Sequence, residues 1–167
     1  VGYQWGGKFA VQQTHDSYPE LELIQTESEC GNGENTWEYA LYIYELMHHY
    51  FRNGASAYMY WNMVLPAGGE SSWGWRQNSL VTVNEAQPQY NHEYYLMKHF
   101  AHFVKPGARY LQTHGAWSAN TTAFQNSDGT KVFVILNPLP QEIPVAVGGA
   151  SYTLQKNSLN TIVINQK

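Results

Sequence analysis

The sequence predicts an α/β domain followed by an all-β domain, and two observations support this prediction. Along residues 1–106, short apolar runs alternate with stretches at helical spacing, a pattern typical of βα units and a parallel sheet in a barrel or doubly wound fold. Along residues 107–167, short alternating runs are separated by turn dipeptides such as Asp128-Gly129, a pattern typical of antiparallel strands. We therefore predict a domain boundary near Pro106, with a small β-sandwich after it.

Short apolar runs predict three strands in the first domain. They lie at residues 1–5, 21–26 and 55–61, and each is followed by polar or glycine-containing sequence. A weakly helical stretch follows the first run, and a long loop containing Gly and Trp is expected over residues 62–88. In barrel enzymes the segments that follow parallel strands gather at one face, where catalytic groups lie.

Two longer helices are predicted between and after these strands. Apolar residues recur at helical spacing over residues 37–51, and Asn35 followed three residues later by Glu38 resembles a capping box. Gly54 supplies the stop signal of this helix. A second helix is predicted at about residues 91–104.

Composition limits the function classes that fit this chain. The 167 residues carry a net charge of −4 with scattered Lys and Arg, so neither nucleic acid nor an anionic membrane surface is an expected partner. No apolar stretch reaches the roughly 20 residues of a membrane span. Aromatic residues make up 15% of the chain and include six Trp, which suits sugar binding but is as typical of a large aromatic core.

Glu27 is the leading candidate for a catalytic residue, because it follows the second predicted strand directly. Glycoside hydrolysis needs two carboxylates across the scissile bond, one ionised and one protonated. Glu29 would lie on the same side of an extended strand, so the spacing alone does not exclude it. Two carboxylates so close on one strand are poorly arranged to flank a sugar from opposite faces. We therefore do not interpret them as the catalytic pair.

Aromatic residues that follow the third strand could form the wall of a sugar site. Trp61 closes that strand, and Trp73 and Trp75 lie in the loop beyond it. If these loops surround the same mouth as Glu27, Asn78 is a suitable amide partner for sugar hydroxyls. The loop tryptophans are harder to explain as core residues than the strand aromatics are.

Metal and cofactor sites are not expected from the sequence. Among the seven histidines, His99 and His102 are three apart on a predicted helix, but no carboxylate completes a convincing ligand set. Cys30 is the only cysteine, which excludes an internal disulfide and a thiolate cluster. The sequence contains neither a Gly-rich phosphate loop of the required form nor a Gly-x-Ser-x-Gly elbow.

Several blocks of sequence occur in a characteristic order along most of the chain. They are residues 25–28, 60–63, 68–78, 94–108 and 128–137. In this order they resemble glycoside hydrolase family 30, the glucosylceramidase-like family of retaining β-glycosidases. The resemblance implies a (β/α)8 TIM barrel flanked by a β-sandwich, of which this chain would contain about barrel strands six to eight and the sandwich.

The resemblance also implies roles for individual residues. The Thr-Glu ending of the second strand matches the nucleophile at the end of barrel strand seven, which assigns that role to Glu27, with Glu29 as the alternative. The resemblance implies that Trp61 and Asn78 line the sugar site, together with Trp5 at the end of strand six. It also implies that Trp75 lies at the mouth of the site. The implied substrate is a β-linked glycoside, and the implied location is secreted or extracellular.

The chain departs from the family pattern in one respect. The family's general acid lies in an Asn-Glu pair after barrel strand four, and no such pair in a matching context precedes Glu27. Because Val1 opens straight into strand-like sequence, we expect a fragment that depends on a missing amino-terminal part of the barrel for its general acid. The alternative hypothesis is a non-catalytic carbohydrate-binding remnant of such an enzyme.

Overall fold

The computed structural model describes residues 1–85 and 87–165. Contacts between residues divide the chain into two compact units, Val1–Met97 and Lys98–Lys167. This division falls within the helix His92–Ala101, a little before the boundary that the sequence predicts near Pro106.

The first unit is built on a three-stranded parallel sheet. Its strands are β1 (Gly2–Tyr3), β2 (Leu23–Gln25) and β3 (Ala55–Tyr58), and β2 lies between the other two. Because all three strands run in the same direction, their carboxyl ends lie at one edge of the sheet. The predicted parallel sheet is therefore confirmed, although each strand is shorter than the apolar run that predicted it.

Helices connect and follow these strands. A 3-10 helix (Trp5–Gly7) and α1 (Val11–Ser17) lie between β1 and β2, α2 (Trp37–Arg52) lies between β2 and β3, and α3 (His92–Ala101) follows later in the chain. No helix in the described part of the chain is long and apolar enough to cross a membrane.

The core of the first unit lies between α1, α2 and the parallel sheet. A cluster of buried residues holds these elements together, and Tyr58 packs against it. The members of this cluster are Tyr3, Val11, Leu23, Tyr50 and Ala55. Two buried tyrosines of this unit are therefore part of this core cluster.

The structure corrects the predicted start of α2. Thr36 is the N-cap, and its hydroxyl accepts a hydrogen bond from the backbone N–H of Tyr39 at 3.2 Å. Asn35 instead accepts from the backbone N–H of Ser79 at 2.8 Å, with its own backbone at φ 49°. The predicted capping box of Asn35 and Glu38 is therefore wrong, because a contact distant in sequence takes the Asn35 side chain.

The predicted stop of α2 is confirmed. Asn53 is the C-cap, and Gly54 follows with a φ of 86°, in the left-handed region that glycine adopts without steric cost. A Cβ at this position would also collide with the imidazole of His15.

The segment predicted as one long loop over residues 62–88 contains strands. They are β4 (Val64–Pro66), β5 (Val81–Asn84) and β6 (Gln87–Tyr90); β4 pairs with β5 in parallel, and β5 pairs with β6 antiparallel. These strands are only three or four residues long and mostly exposed, and β4 and β6 each contain a proline, which is uncommon within strands. The part between β4 and β5 is an irregular loop, and it contains Trp73 and Trp75.

The second unit is antiparallel throughout its described strands. Four strands form one sheet in the order β12 (Ser158–Ile164), β9 (Lys131–Asn137), β8 (Thr121–Gln125) and β7 (Arg109–Leu111). A hairpin of β10 (Ile143–Val147) and β11 (Ala150–Leu154) forms the other sheet. Ile135, Leu154 and Ile162 form the centre of the core, to which all three of β9, β11 and β12 contribute.

Candidate active site

A cleft of about 420 Å³ in the first unit lies where the three parallel strands end. Each strand contributes to its lining through the segment that follows it: Trp5 after β1, Glu27 after β2 and Trp61 after β3. The turn between β4 and β5 adds Trp73 and Trp75. The structure therefore brings together the carboxylate and the tryptophans that the sequence singled out.

Neighbours of Glu27 in the chain are tied to the strands on both sides. The Thr26 hydroxyl and backbone N–H both donate to the carbonyl of Tyr3 on β1, at 3.1 and 2.8 Å. On the other side, the buried Ser28 hydroxyl accepts from the backbone N–H of Trp61 at 3.0 Å. Glu27 itself is partly exposed. Its backbone is thus fixed while its carboxylate faces the cleft, which is the arrangement that a catalytic carboxylate needs.

Glu29 also borders the cleft, but its carboxylate is occupied by two other side chains. Lys8 forms an ion pair with it, and the Tyr42 hydroxyl donates to its other oxygen. The hydrogen bond to Glu29 raises the pKa of Lys8, so this lysine is firmly protonated at neutral pH. In addition, the Tyr39 hydroxyl donates to the Glu29 carbonyl at 2.9 Å. Glu29 therefore links the segment after β1 to α2.

The tryptophans of the cleft expose large parts of their rings. The exposed fraction ranges from 40% for Trp61 to 73% for Trp73, with Trp5 and Trp75 between these values. Exposed Trp rings around a carboxylate are unusual for a core and typical of a surface that stacks on the CH face of a sugar. Core packing therefore does not explain these four residues.

A tight turn shapes the part of the cleft that Trp73 and Trp75 form. The backbone N–H of Ser71 donates to the Trp75 carbonyl at 2.7 Å, and the Ser71 hydroxyl accepts from the N–H groups of Trp73 and Trp75 at 3.3 Å. The two indole rings lie 6.1 Å apart between centroids and are tilted by 46°. The pair thus forms one continuous aromatic surface.

Asn78 is not among the residues that line this cleft, although the sequence predicts it as a sugar ligand. It is fully buried, and its side chain lies between the Gly33 N–H and the carboxyl of Glu93. The neighbouring Gln77 lines the cleft instead, and its Oε1 accepts from Asn62 Nδ2 at 2.8 Å. A shift of one residue along an irregular segment cannot be read from sequence spacing.

Sequence reasoning missed three other residues at or beside the cleft. Tyr39 and Cys30 line it, and burial raises the pKa of the Tyr39 phenol, which stays a neutral hydroxyl at physiological pH. Glu93 is a buried carboxyl group on α3. Helical spacing places Glu93 on the same face as the buried Leu96 and Phe100, and this periodicity is the signal that indicates its burial.

The described carboxylates that line the cleft are Glu27 and Glu29. Because Glu29 is paired with Lys8, the described lining offers one carboxylate for attack and no evident proton donor opposite it. No group of three or more His, Cys, Asp or Glu residues in the described ranges could hold a metal ion.

Comparisons with known proteins show that this chain is similar to glycoside hydrolases. Residues 107–162 match the family model described as the glycosyl hydrolase family 30 beta sandwich domain. The chain is 29% identical over 143 residues to putative glucosylceramidase 2 of Caenorhabditis elegans, which covers 78% of this chain and 27% of that protein. It is 36% identical over 81 residues to an endo-1,6-beta-D-glucanase of Neurospora crassa, which covers 43% of the chain and 17% of that protein.

A solved structure supports the same assignment of fold. The structure described as the endo-beta1,6-glucanase BT3312 superposes with a TM-score of 0.85 at 23% identity, over 99% of this chain and 41% of that one. The resemblance to glycoside hydrolase family 30 is thus confirmed, and residues 107–162 are the β-sandwich domain of that family. The fold is the C-terminal part of a TIM barrel followed by this sandwich. The chain spans about a quarter of the length of the curated glucosylceramidase that it matches.

Proposed function

We propose that this chain is part of a retaining glycoside hydrolase that acts on β-linked glycosides, with Glu27 as the nucleophile. One observation carries the proposal: the ends of three parallel strands bring a fixed, partly exposed glutamate into a cleft walled by tryptophans. Relatives that bear the names of a glucosylceramidase and an endo-1,6-beta-D-glucanase support the same class of substrate.

The chemistry assigns Glu27 to the first half of a double displacement. Its ionised carboxylate attacks the anomeric carbon, the bond to the leaving oxygen breaks, and a covalent glycosyl-enzyme forms. A second carboxylic acid protonates the leaving oxygen and then, as a base, activates the water that releases the sugar. In a retaining enzyme the two carboxyl groups are about 5–5.5 Å apart.

Glu27 is preferred over Glu29 on physical grounds. The ion pair with Lys8 and the hydrogen bond from Tyr42 stabilise the Glu29 carboxylate in place and reduce its nucleophilicity. Moving it toward a sugar would break both contacts and leave Lys8 without its partner. The Glu29 side chain therefore serves the structure of the site, while that of Glu27 is available for attack.

The tryptophans are proposed to hold the sugar over Glu27. Trp61 stacks on the sugar ring that undergoes attack, and Trp5 and Trp75 extend the surface to either side, with Trp73 beside Trp75. We propose Gln77, rather than Asn78, as the amide group nearest to the sugar hydroxyls.

The proton donor is proposed to come from the barrel strands outside the matched portion of the family. General acid catalysis contributes about 10²–10⁴ in rate, and more for a poor leaving group such as a sugar alkoxide. We use the term complete enzyme for this chain together with those remaining barrel strands. A secreted location, implied by the resemblance, is part of the same proposal.

We predict that the 167-residue chain alone does not hydrolyse aryl β-glucosides or aryl β-xylosides, whereas the complete enzyme does. The assay compares the purified chain with the same chain supplied with the amino-terminal part of the barrel. Robust turnover by the chain alone would mean that Glu29, Glu70 or another local carboxylate acts as the proton donor. Sugar binding without turnover in the complete enzyme would instead favour a non-catalytic carbohydrate-binding protein.

A further inference from the structure

Glu93 is an unusual residue for the first turn of a helix, because none of its surface is exposed. Its Oε1 accepts a hydrogen bond from Asn78 Nδ2 at 2.7 Å. Its Oε2 is buried and has no hydrogen-bond partner among the described residues. Burying a carboxyl group of which one oxygen has no hydrogen-bond partner costs folding free energy. The hydrogen bond from Asn78 is therefore the contact whose role has to account for this burial.

Asn78, which donates to Glu93, also forms hydrogen bonds with the segment that follows Glu27. Its Oδ1 accepts from the backbone N–H of Gly33 at 2.8 Å, and its own backbone N–H donates to the Cys30 carbonyl at 2.6 Å. Gly31 lies so close that a Cβ there would come within 2.5–2.9 Å of the Asn78 side-chain atoms. Asn78 therefore holds residues 30–33 through its side-chain Oδ1 and its backbone N–H, while its Nδ2 is held by Glu93.

The same asparagine also holds the segment that follows Trp61. The Asn78 carbonyl accepts from the backbone N–H of Asn62 at 3.4 Å and from Asn62 Nδ2 at 3.3 Å. Asn62 Nδ2 also donates to Gln77 in the cleft. Asn78 thus contacts the backbone three residues after Glu27 and the residue directly after Trp61.

We propose that Glu93 is a positioning residue: by holding the Asn78 amide it fixes the segments that present Glu27 and Trp61 to the sugar. This inference rests on the proposed function and deepens it. Glu93 does not line the cleft, so it acts through Asn78 and makes no contact with substrate.

The direction of the Glu93 pKa shift fits this role. Burial raises the pKa of its carboxyl group, against smaller opposing effects of its own backbone N–H, of the hydrogen bond from Asn78 and of neighbouring His92. The buried phenol of Tyr60 faces the same carboxyl group and is itself neutral. A neutral carboxylic acid presents a carbonyl oxygen to Asn78, and a glutamine side chain presents the same group at the same length.

The test compares Glu93→Gln, which keeps the acceptor, with Glu93→Met, which keeps the length and loses it. The matched control is Leu96→Ala, which creates a cavity at another buried position of α3. In the 167-residue chain, amide hydrogen exchange at Gly33 is expected to accelerate about tenfold or more in Glu93→Met and to stay near the wild-type rate in the other two variants. Equal acceleration in Glu93→Met and Leu96→Ala would overturn the proposal.

In the complete enzyme, Glu93→Met is expected to lower kcat by about 10- to 100-fold with little change in KM, because misplaced groups cost rate more than binding. Glu93→Gln should restore most of the rate, and Leu96→Ala should retain it. A Glu93→Gln variant as slow as Glu93→Met would contradict the proposed role. If Glu93→Met does not fold, Glu93→Ala removes the same acceptor, leaves the bond from Gly33 to Asn78 Oδ1 available, and must show the same losses at Gly33 and in kcat.

The two readouts separate this inference from the proposed function. If the exchange results hold but the wild-type complete enzyme hydrolyses no β-glycoside, the proposed function is wrong and the catalytic part of this inference falls with it. If the wild-type enzyme is active but Glu93→Met matches it in both exchange and kcat, the positioning role is wrong and the proposed function stands.

Discussion

At the scale of single residues, Glu27 and Glu29 have the same side chain but different neighbours, and the neighbours give them different roles. They are two residues apart and both border the cleft, yet only the carboxylate of Glu29 is held by Lys8 and Tyr42. The sequence supplies Glu27 through its position at the end of a strand, but it leaves Glu29 open, because the partner of Glu29 comes from a segment 21 residues away. Long-range contacts of this kind cannot be read from local spacing.

Replacement of Trp61 by alanine is expected to weaken sugar binding or transition-state stabilisation in the complete enzyme by about 1–3 kcal/mol. The reason is that its partly exposed ring lies beside Glu27 in the cleft and offers a stacking surface. Steady-state kinetics with aryl β-glucosides measure the effect. Trp117→Phe, which alters an indole in the sandwich core, is the control and should leave kcat/KM unchanged. Unaltered kinetics in a folded Trp61→Ala variant would remove Trp61 from the site.

Glu93 is expected to make the stability of the chain depend on pH. Because burial raises its pKa in the folded state, the folded chain binds a proton more tightly than the unfolded chain, and stability falls as pH rises from the ordinary value of 4.5 toward the raised pKa. The slope contributed by one such group is at most about 1.4 kcal/mol per pH unit. Glu93→Gln removes the ionisation, so its stability relative to wild type should increase with pH across this window.

Urea unfolding followed by Trp fluorescence measures this effect, since five of the six tryptophans lie in residues 1–97. Glu34→Gln, a change at a carboxylate on the surface loop before α2, is the control and should show the same pH profile as wild type. A constant difference between Glu93→Gln and wild type from acidic to neutral pH would contradict a raised Glu93 pKa in the folded chain.

At the scale of elements, the sequence predicts the parallel strands and α2 well, because buried apolar residues recur there at regular spacing. It does not predict β4, β5 or β6, which are three or four residues long, mostly exposed and interrupted by proline in β4 and β6. The wrong assignment of the α2 cap has a similar cause. Asn35 has the right chemistry for a cap, but its bond to Ser79 depends on how a distant segment folds back.

Removal of the Thr36 hydroxyl is expected to destabilise the first unit. Thr36→Ala leaves the Tyr39 N–H without its cap and should cost about 0.5–2 kcal/mol in urea unfolding. Glu38→Ala is the matched comparison, since the structure gives no capping role to Glu38, and it should cost less. A larger loss in Glu38→Ala than in Thr36→Ala would restore the capping box that the sequence predicts.

At the scale of the whole molecule, the order of sequence blocks predicts both the barrel portion and the sandwich, and the matched family model and superposed structure agree. The position of the cleft also follows from the sequence, because parallel strands must end on one side. The sequence does not predict which side chain of the irregular segment around residues 77–78 faces the cleft. That depends on Asn78 being drawn inward by Gly33 and Glu93, two partners on different elements.

The assignment of Glu27 as nucleophile is tested most directly by trapping the complete enzyme with a mechanism-based fluorosugar and mapping the labelled peptide. The slow turnover of such a sugar lets the glycosyl-enzyme accumulate. We predict one covalent adduct, on Glu27, and its loss in the Glu27→Gln variant, which should fold like wild type because the side chain is partly exposed. An adduct on Glu29 or on any other residue, or an unchanged adduct in Glu27→Gln, would contradict the assignment.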